Sequence, residues 1–510
     1  MQKSGIHRLL MGLLVVLIGG KSRLWGQATM LGFNNKHLIQ SNLAMPAFRP
    51  QYGLAFSINN QLVSYFPQIT PGEILGGEEA GDITLSKLLG DPEKQLTGLD
   101  IENHTNLITV GYRRKFSYVS FNSGVISQAF LNIDKDAIGL LYKGNGDPAY
   151  YGGRVDLDFG QSFARAYWEN RVTWGLVLTD FFNVGFTVSR LKGLYNYDLQ
   201  RANFGLTTDT SMNNFYQVTM DADLELQTAG TSNLKPVRGR ELFPGGGINR
   251  GLSYGFGALL RPSEQWQFSI GAINYGNIAW NYKREHYRIN KTAFTFNGLD
   301  TANTAGDLTV TNFGEVRDSV KKQFKPELTG DKTVLITTIP SQWNYGIEYF
   351  MTPQNAITFN FNSGVGATRL KKCWTLQSQN RIKENVDIMV SYTRYNMGLE
   401  RHLLGLGFIG YKGPLQVHAL INNLKGVVNL DASHGLMLDI GFTYLIGRNV
   451  DADNDDVPDY RDECKGMFGR RNYLGCPEDM PGKPYEYEPS GKELKEIERL
   501  EEKRRWRFGK

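Results

Sequence analysis

Asp451, Asp453, Asp455, Asp459 and Asp462 stand at positions 1, 3, 5, 9 and 12 of a twelve-residue run, with Val457 at position 7. These are the oxygen-donor positions of a calcium loop, in which the seventh residue contributes its backbone carbonyl. Carboxylates crowded this closely repel one another unless a hard dication, which takes about six to eight oxygens, neutralises them. The expected cofactor is therefore Ca2+. Asp456 occupies the sixth position, where glycine usually makes the sharp turn. A solvated acidic linker is the alternative. Cys464 and Cys476 follow, and in an oxidising compartment they should pair, stabilising the tail by about 3 kcal/mol. Cys373 is left over, a free, buried or lumenal thiol rather than a nucleophile.

Two other motifs look chemical. Gly251-Leu-Ser253-Tyr-Gly255 matches the nucleophile elbow of hydrolases, which needs a strained strand-to-helix turn. Gly405-Leu-Gly407-Phe-Ile-Gly410 matches the dinucleotide fingerprint, which needs a helix opening on a pyrophosphate. Strand-like alternation continues through the first, and a Lys412-Gly413-Pro414 turn follows the second, so both read as barrel strands with small inward residues. The seven histidines are scattered, without a metal-ligand pair, and His418 and His434 read as strand-face residues. No catalytic constellation emerges, and the chain is expected not to be an enzyme.

These residues must be positioned by the elements around them. The first 26 residues read as an export signal: Lys3 and Arg8, then the uncharged apolar run Leu9 to Gly19, too short to span a bilayer. Cleavage is expected before Gln27. The formal charge of +5 falls to near +1 without the four leader cations Lys3, Arg8, Lys21 and Arg23. A chain that neutral has no electrostatic footprint for nucleic acid. With 57 glycines and 12% aromatic residues it is neither disordered nor a helical membrane protein.

From residue 52 to 447 the dominant pattern has period two, which places alternate side chains on opposite faces of a sheet. Leu436, Leu438, Ile440, Phe442, Tyr444 and Ile446 make one apolar face, against Asp439, Gly441 and Thr443 on the other. The same grammar joins Val172, Trp174, Leu176 and Leu178 to a hairpin partner carrying Val184, Phe186 and Val188. It recurs in Tyr254 to Leu260 with Trp266 to Ala272, and in the segments around Phe359, Ile388 and Val417. A soluble sandwich alternates too, but it rarely forms so large a single sheet system. A polar face of Gly, Ser, Thr, Asn and Asp suits a lumen, an apolar face suits lipid, and closure removes unpaired strand edges. The fold class expected is all-β, a transmembrane antiparallel barrel of about 14 strands with a short periplasmic tail. Polar segments near 67–104, 196–250 and 282–340 read as long external loops or partly as a plug. Residues 27–51 form an N-terminal segment, with a short plug helix possible over 33–49.

After Arg448 the composition shifts. The tail divides into a calcium repeat over 448–480 and a linker with a charged helix over 481–510. Ser490 with Glu493 fits a capping box, and Leu494, Ile497 and Leu500 give a narrow apolar stripe. A solvated helix needs no partner; the stripe ending at Trp506 and Phe508 fits docking to a periplasmic protein through residues 490–510.

The segment from Asp451 to Glu478, with Gly475-Cys476-Pro477, resembles one thrombospondin type 3 repeat, a calcium-binding unit that often links outer-membrane barrels to peptidoglycan-binding domains. No such domain follows here. Asn42 with Pro46-Ala47-Phe48, the hairpin Gly255 to Ala272, and Asn274 to Trp280 resemble large outer-membrane barrels of the Bacteroidota, distantly similar to fatty-acid-channel-like and type IX secretion barrels. The resemblance implies an outer-membrane location with both termini in the periplasm, lipid as a partner, and little chemistry. The favoured reading is a component of an envelope or secretion assembly whose calcium-stabilised tail docks a partner. The alternative is a passive channel for small or hydrophobic solutes.

Overall fold

The computed structural model describes residues 37–65, 99–132, 152–209, 217–230, 249–296, 322–329, 335–365, 372–395 and 401–448, apart from single positions within these runs, and scattered residues in 31–35, 134–150 and 457–477. Fourteen strands close into a ring. They are Tyr52–Tyr65 (β1), Leu99–Arg114 (β2), Ser117–Leu131 (β3), Ser162–Thr179 (β5), Phe182–Thr208 (β6), Arg250–Leu260 (β8), Trp266–Trp280 (β9), Ser341–Thr352 (β13), Asn355–Val365 (β14), Cys373–Lys383 (β15), Val386–Tyr395 (β16), His402–Lys412 (β17), Leu415–Ile421 (β18) and Gly435–Arg448 (β19). Every neighbouring pair is antiparallel, and the last strand meets the first from Tyr52 opposite Arg448 to Tyr65 opposite Gly435. The fold is a closed, all-β, 14-strand antiparallel barrel.

The alternation read from the sequence sorts the two faces. Phe442 and Trp174 are more than half exposed on the outer wall, whereas Thr443 and Thr173, one residue away, are fully buried. In a soluble sandwich the apolar face would turn inward; here it turns outward, as lipid requires. Aromatic rings mark both margins of this band. Trp266 and Tyr349 pack at 4.8 Å towards one end, and Trp374 and Tyr392 at 5.5 Å towards the other. Such girdles sit at the two interfaces of a membrane barrel.

The ends of the barrel differ. Joins of a few residues connect β2 to β3, β5 to β6, β8 to β9, β13 to β14, β15 to β16 and β17 to β18, all at the end where β1 begins and β19 finishes. Long connections occupy the opposite, loop end. Part of the sequence read as loop is strand instead. β6 runs 27 residues, or about 90 Å at 3.4 Å per residue, well beyond a bilayer. Its distal half pairs with Arg154–Asp158 (β4) and Val218–Ala229 (β7), and β7 pairs with Glu285–Phe296 (β10). Glu327–Thr329 (β11) adds to β10, and Leu335–Thr338 (β12) adds to β9.

The period is hidden in this projecting sheet for two reasons. Register shifts between Leu199 and Arg201 and between Ile289 and Thr292 reverse the parity midway. One face is also charged rather than small: Glu225 accepts from Arg201 and Arg288 at 2.8 Å each and lies 2.9 Å from His286.

Candidate functional site: a plugged lumen

Inside the barrel, near the turn end, lies the chain that precedes β1. A single helical turn, Ser41–Ala44 (α1), leads into the Met45 to Phe48 corner. Leu38, Ile39, Met45 and Ala47 are at most 1% exposed, so this segment is a packed plug and not a tether. Asn42 organises it. Its amide donates to the carbonyls of Pro46 (3.1 Å) and Phe48 (2.7 Å), and its Oδ1 accepts from Ser120 of the wall at 2.6 Å. The two residues quoted for the resemblance, Asn42 and Pro46, thus meet across a tight turn.

Wall side chains capture carbonyls that so short a helix, and the chain leading into it, leave without partners. Arg171 donates to Leu43 O at 2.7 Å, Asn344 to Ala44 O at 3.1 Å, and Gln416 to His37 O at 2.6 Å. Arg171 also contacts Glu169 (3.0 Å) and Asn274 Oδ1 (2.6 Å), and both members of the Arg171–Glu169 pair are almost fully buried. Asn274 sits in the left-handed region, φ 63°, just above a register shift between β8 and β9. Asparagine tolerates that conformation better than most residues. Arg171 therefore ties the plug to the irregular part of the wall.

Glycine makes room for the plug. A Cβ at Gly185 would stand 2.1 Å from Pro46 O, and one at Gly257 would stand 3.0 Å from Ala47 N. A second ion pair lies on β15 and β16, where Arg381 donates to Asp387 at 2.7 Å. The Tyr411 hydroxyl donates to Asp387 at 3.3 Å, and the Tyr52 hydroxyl donates to His37 O at 3.0 Å.

Above the plug, towards the loop end, the inner wall carries two apolar patches. One gathers Val63, Cys373, Tyr395, Leu403 and Met437. The other gathers Ile126, Tyr167, Leu191, Ile278, Trp280 and Ile339 on strands across the barrel. Trp280 is fully buried, its indole donates to Thr337 Oγ1 at 2.8 Å, and its ring covers Gly193, where a Cβ would come within 2.4 Å.

Ser253 is buried on the inner face in the middle of β8, so its glycine-flanked motif forms no elbow. Gly405 to Gly410 lies within β17, where no helix follows. His418 is buried beside Asp439 at 3.3 Å. Cys373 belongs to the first apolar patch. Asp451, Asp453, Asp455 and Asp459 lie outside the described residues, as do the leader and residues 478–510. Val457 and Asp462 are buried, Asp462 Oδ1 accepts from Cys464 N at 2.7 Å, and Cys464 and Cys476 form a disulfide with Cα atoms 5.0 Å apart.

The latch residues Glu169, Arg171, Asn344 and Gln416 were not singled out from the sequence. Parity was the available signal: Glu169 and Arg171 fall opposite Val172 and Trp174 in β5, hence on the lumenal face.

No curated protein matches the chain in sequence. Among solved structures it is similar to a mutant of the TodX monoaromatic hydrocarbon channel, at 8% identity and TM-score 0.40, covering 83% of this chain and 96% of that one. It is also similar to the Ralstonia pickettii toluene transporter TbuX, at 8% identity and TM-score 0.35, covering 78% and 90%. A Pseudomonas aeruginosa FadL homologue aligns at 10% identity and TM-score 0.34, covering 78% and 91%. Residues 46–422, from the plug corner to the end of β18, match the family described as "Family of unknown function (DUF5723)", and the chain belongs to that family.

Proposed function

We propose that this outer-membrane barrel is a passive channel that admits small apolar solutes from its loop end and receives them above the plug. The observation that carries the reading is the pair of apolar patches above the plug, separate from the apolar wall residues that the plug itself covers. A water-filled pore has no use for Leu403, Met437, Leu191 and Trp280 on its lumenal face, whereas an apolar solute needs such surfaces to leave water. Two of the solved structures it is similar to are a monoaromatic hydrocarbon channel mutant and a toluene transporter, but the reading rests on the lumen of this chain. In this arrangement the turn end and both termini face the periplasm, the usual placement of short turns.

The test is binding of the apolar fluorophore N-phenyl-1-naphthylamine to the detergent-solubilised full chain. Leu403→Asn and Leu191→Asn each remove about 1.5 kcal/mol or more of apolar contact and should weaken binding about tenfold. Unchanged affinity in both variants would sink the reading.

A second reading has its own support. The disulfide and the buried Asp462 and Val457 fix a compact knot at the end of the acidic run, a suitable base for a calcium loop. The donor set of Asp451, Asp453, Asp455, the Val457 carbonyl, Asp459 and Asp462 consists of hard oxygens, which suits Ca2+. The loop would stiffen the tail so that residues 490–510 reach a periplasmic partner in an envelope or secretion assembly. Deleting 451–510 should leave an inserted, heat-modifiable barrel and remove co-purifying periplasmic proteins. If the truncated chain keeps every partner, docking by the tail is wrong.

A further inference from the structure

The outer wall breaks its apolar pattern with positive charge on two neighbouring strands. On β6 the exposed positions Phe186 and Val188 continue as Arg190 and Lys192, while Ser189 and Leu191 between them are buried on the lumenal side. On β8 the outward series Phe256, Tyr254 and Leu252 ends at Arg250. Arg190 and Arg250 are exposed and Lys192 is half-buried. Register places Lys192 directly opposite Arg250 and Arg190 opposite Leu252. Facing Cβ atoms in such a ladder stand about 4.5–5.5 Å apart and diagonal ones about 7–8 Å, so three cations gather within reach of one anion. Like charges set opposite each other destabilise a sheet unless a counter-charge joins them.

The surrounding wall offers little to neutralise the arginines. β3, β8 and β9 contain no carboxylate, and the one on β5, Glu169, is buried on the lumenal side with Arg171. The one on β6, Asp198, lies well beyond Lys192. Among the described residues neither Arg190 nor Arg250 has an ion-pair partner. Elsewhere at this margin the outward polar groups are neutral and bond one another: Asn60 donates to Asn103 at 3.0 Å and to Thr105 at 2.7 Å, and Trp168 donates to Ser123 at 2.9 Å. Height gives the setting. From Phe182 at the turn end, Arg190 lies about 27 Å and Lys192 about 34 Å along the strand, which a tilt of about 40° reduces to about 21 and 26 Å. The apolar band of a membrane barrel is about 25 Å tall, so the cations stand at its loop-end margin, with lipid-facing Val188, Leu252 and Trp174 below them.

We propose that Arg190 and Arg250, with Lys192 beside them, bind the phosphate of an outer-leaflet glycolipid whose acyl chains lie on the apolar wall below. The guanidinium fork matches phosphate geometry, and an anion at this place offsets the repulsion between facing cations. The site takes the orientation given above, with the loop end outside, and does not need the apolar-solute reading. The experiment titrates the detergent-solubilised full chain with monophosphoryl lipid A, and with the same lipid after its phosphate is removed, and counts bound lipid by native mass spectrometry. Wild type should bind the phosphorylated lipid about tenfold more tightly or better. Arg190→Gln and Arg250→Gln should each weaken that binding about tenfold, the factor expected for one lost hydrogen bond between charged groups. Arg114→Gln, which removes an exposed cation at the turn end, should leave it unchanged. Heat-modifiable migration identifies closed barrels, and Arg190→Lys, which keeps the charge but loses the fork, serves if a glutamine variant fails to insert and should also bind more weakly. Equal binding of the two lipids overturns the proposal. So does unchanged affinity in closed arginine variants, or displacement of the lipid by inorganic phosphate alone, which would make this a site for free anions. Orientation is checked separately by labelling Gly153→Cys, an open position at the loop end, with an impermeant maleimide on intact cells. Without labelling the cations face the other leaflet, and the proposal falls whatever the lipid titration shows.

Discussion

Gly185→Val is expected to convert a barrel closed by its plug into one that passes ions in a planar bilayer. A Cβ at this position would lie 2.1 Å from Pro46 O, 2.2 Å from Pro46 C and 2.4 Å from Ala47 N. All three are backbone atoms, so no rotamer change relieves the overlap. The strand itself accepts valine readily, because branched side chains suit a pleated surface. The conflict therefore falls on the plug. Overpacking of this kind costs about 1–3 kcal/mol, enough to shift the seating equilibrium by about 5- to 150-fold. Gly175→Ala supplies the graded control, since its Cβ would stand 3.2 Å from Pro46 O and ask only for a small adjustment. Conductance in Gly185→Val no higher than in wild type would mean that segment 44–48 does not seal the lumen.

Arg171→Leu should have the largest effect on stability. Its guanidinium holds Leu43 O, Asn274 Oδ1 and the Glu169 carboxylate, and the ion pair is nearly inaccessible to solvent. Removing one member of a buried pair leaves the other charge uncompensated, at a cost of about 3–5 kcal/mol. The heat-modifiability midpoint should fall steeply, and the plug should loosen with it. Adding Glu169→Gln to the Arg171→Leu background should recover much of the loss, because the stranded charge disappears. If the double variant is as unstable as the single one, the penalty lies in the contacts to Leu43 and Asn274 and not in Glu169.

The barrel was legible because lipid and lumen impose opposite chemistry on successive residues. In β19 and in the β5–β6 hairpin the outer face needed only counting, and the structure places Phe442, Trp174 and Phe186 outward as their spacing requires. The projecting sheet was illegible for the converse reason. Bulges at Leu199 and Ile289 reverse parity, and Arg201, Glu225 and Arg288 resemble loop residues until the strand neighbours that pair them are known.

The site was only half legible. Asn42 and Pro46 stood out as residues, but nothing local says that Asn42 closes the turn on Pro46 and Phe48 or that Ser120, 78 positions away, completes the contact. The glycines of the wall read as small lumenal residues. That Gly185 is small because Pro46 lies against it is a fact about two segments far apart in the chain.

The sequence by itself determined the strand faces, since each residue's preference for hydrocarbon or for a polar interior depends on its own chemistry and its parity. Tertiary structure alone decided what the lumen contains. Closing fourteen strands brings Arg171, Asn344 and Gln416 around one short plug segment and sets two apolar patches across from each other. These arrangements depend on register and closure, which couple residues hundreds of positions apart and leave no trace in local periodicity.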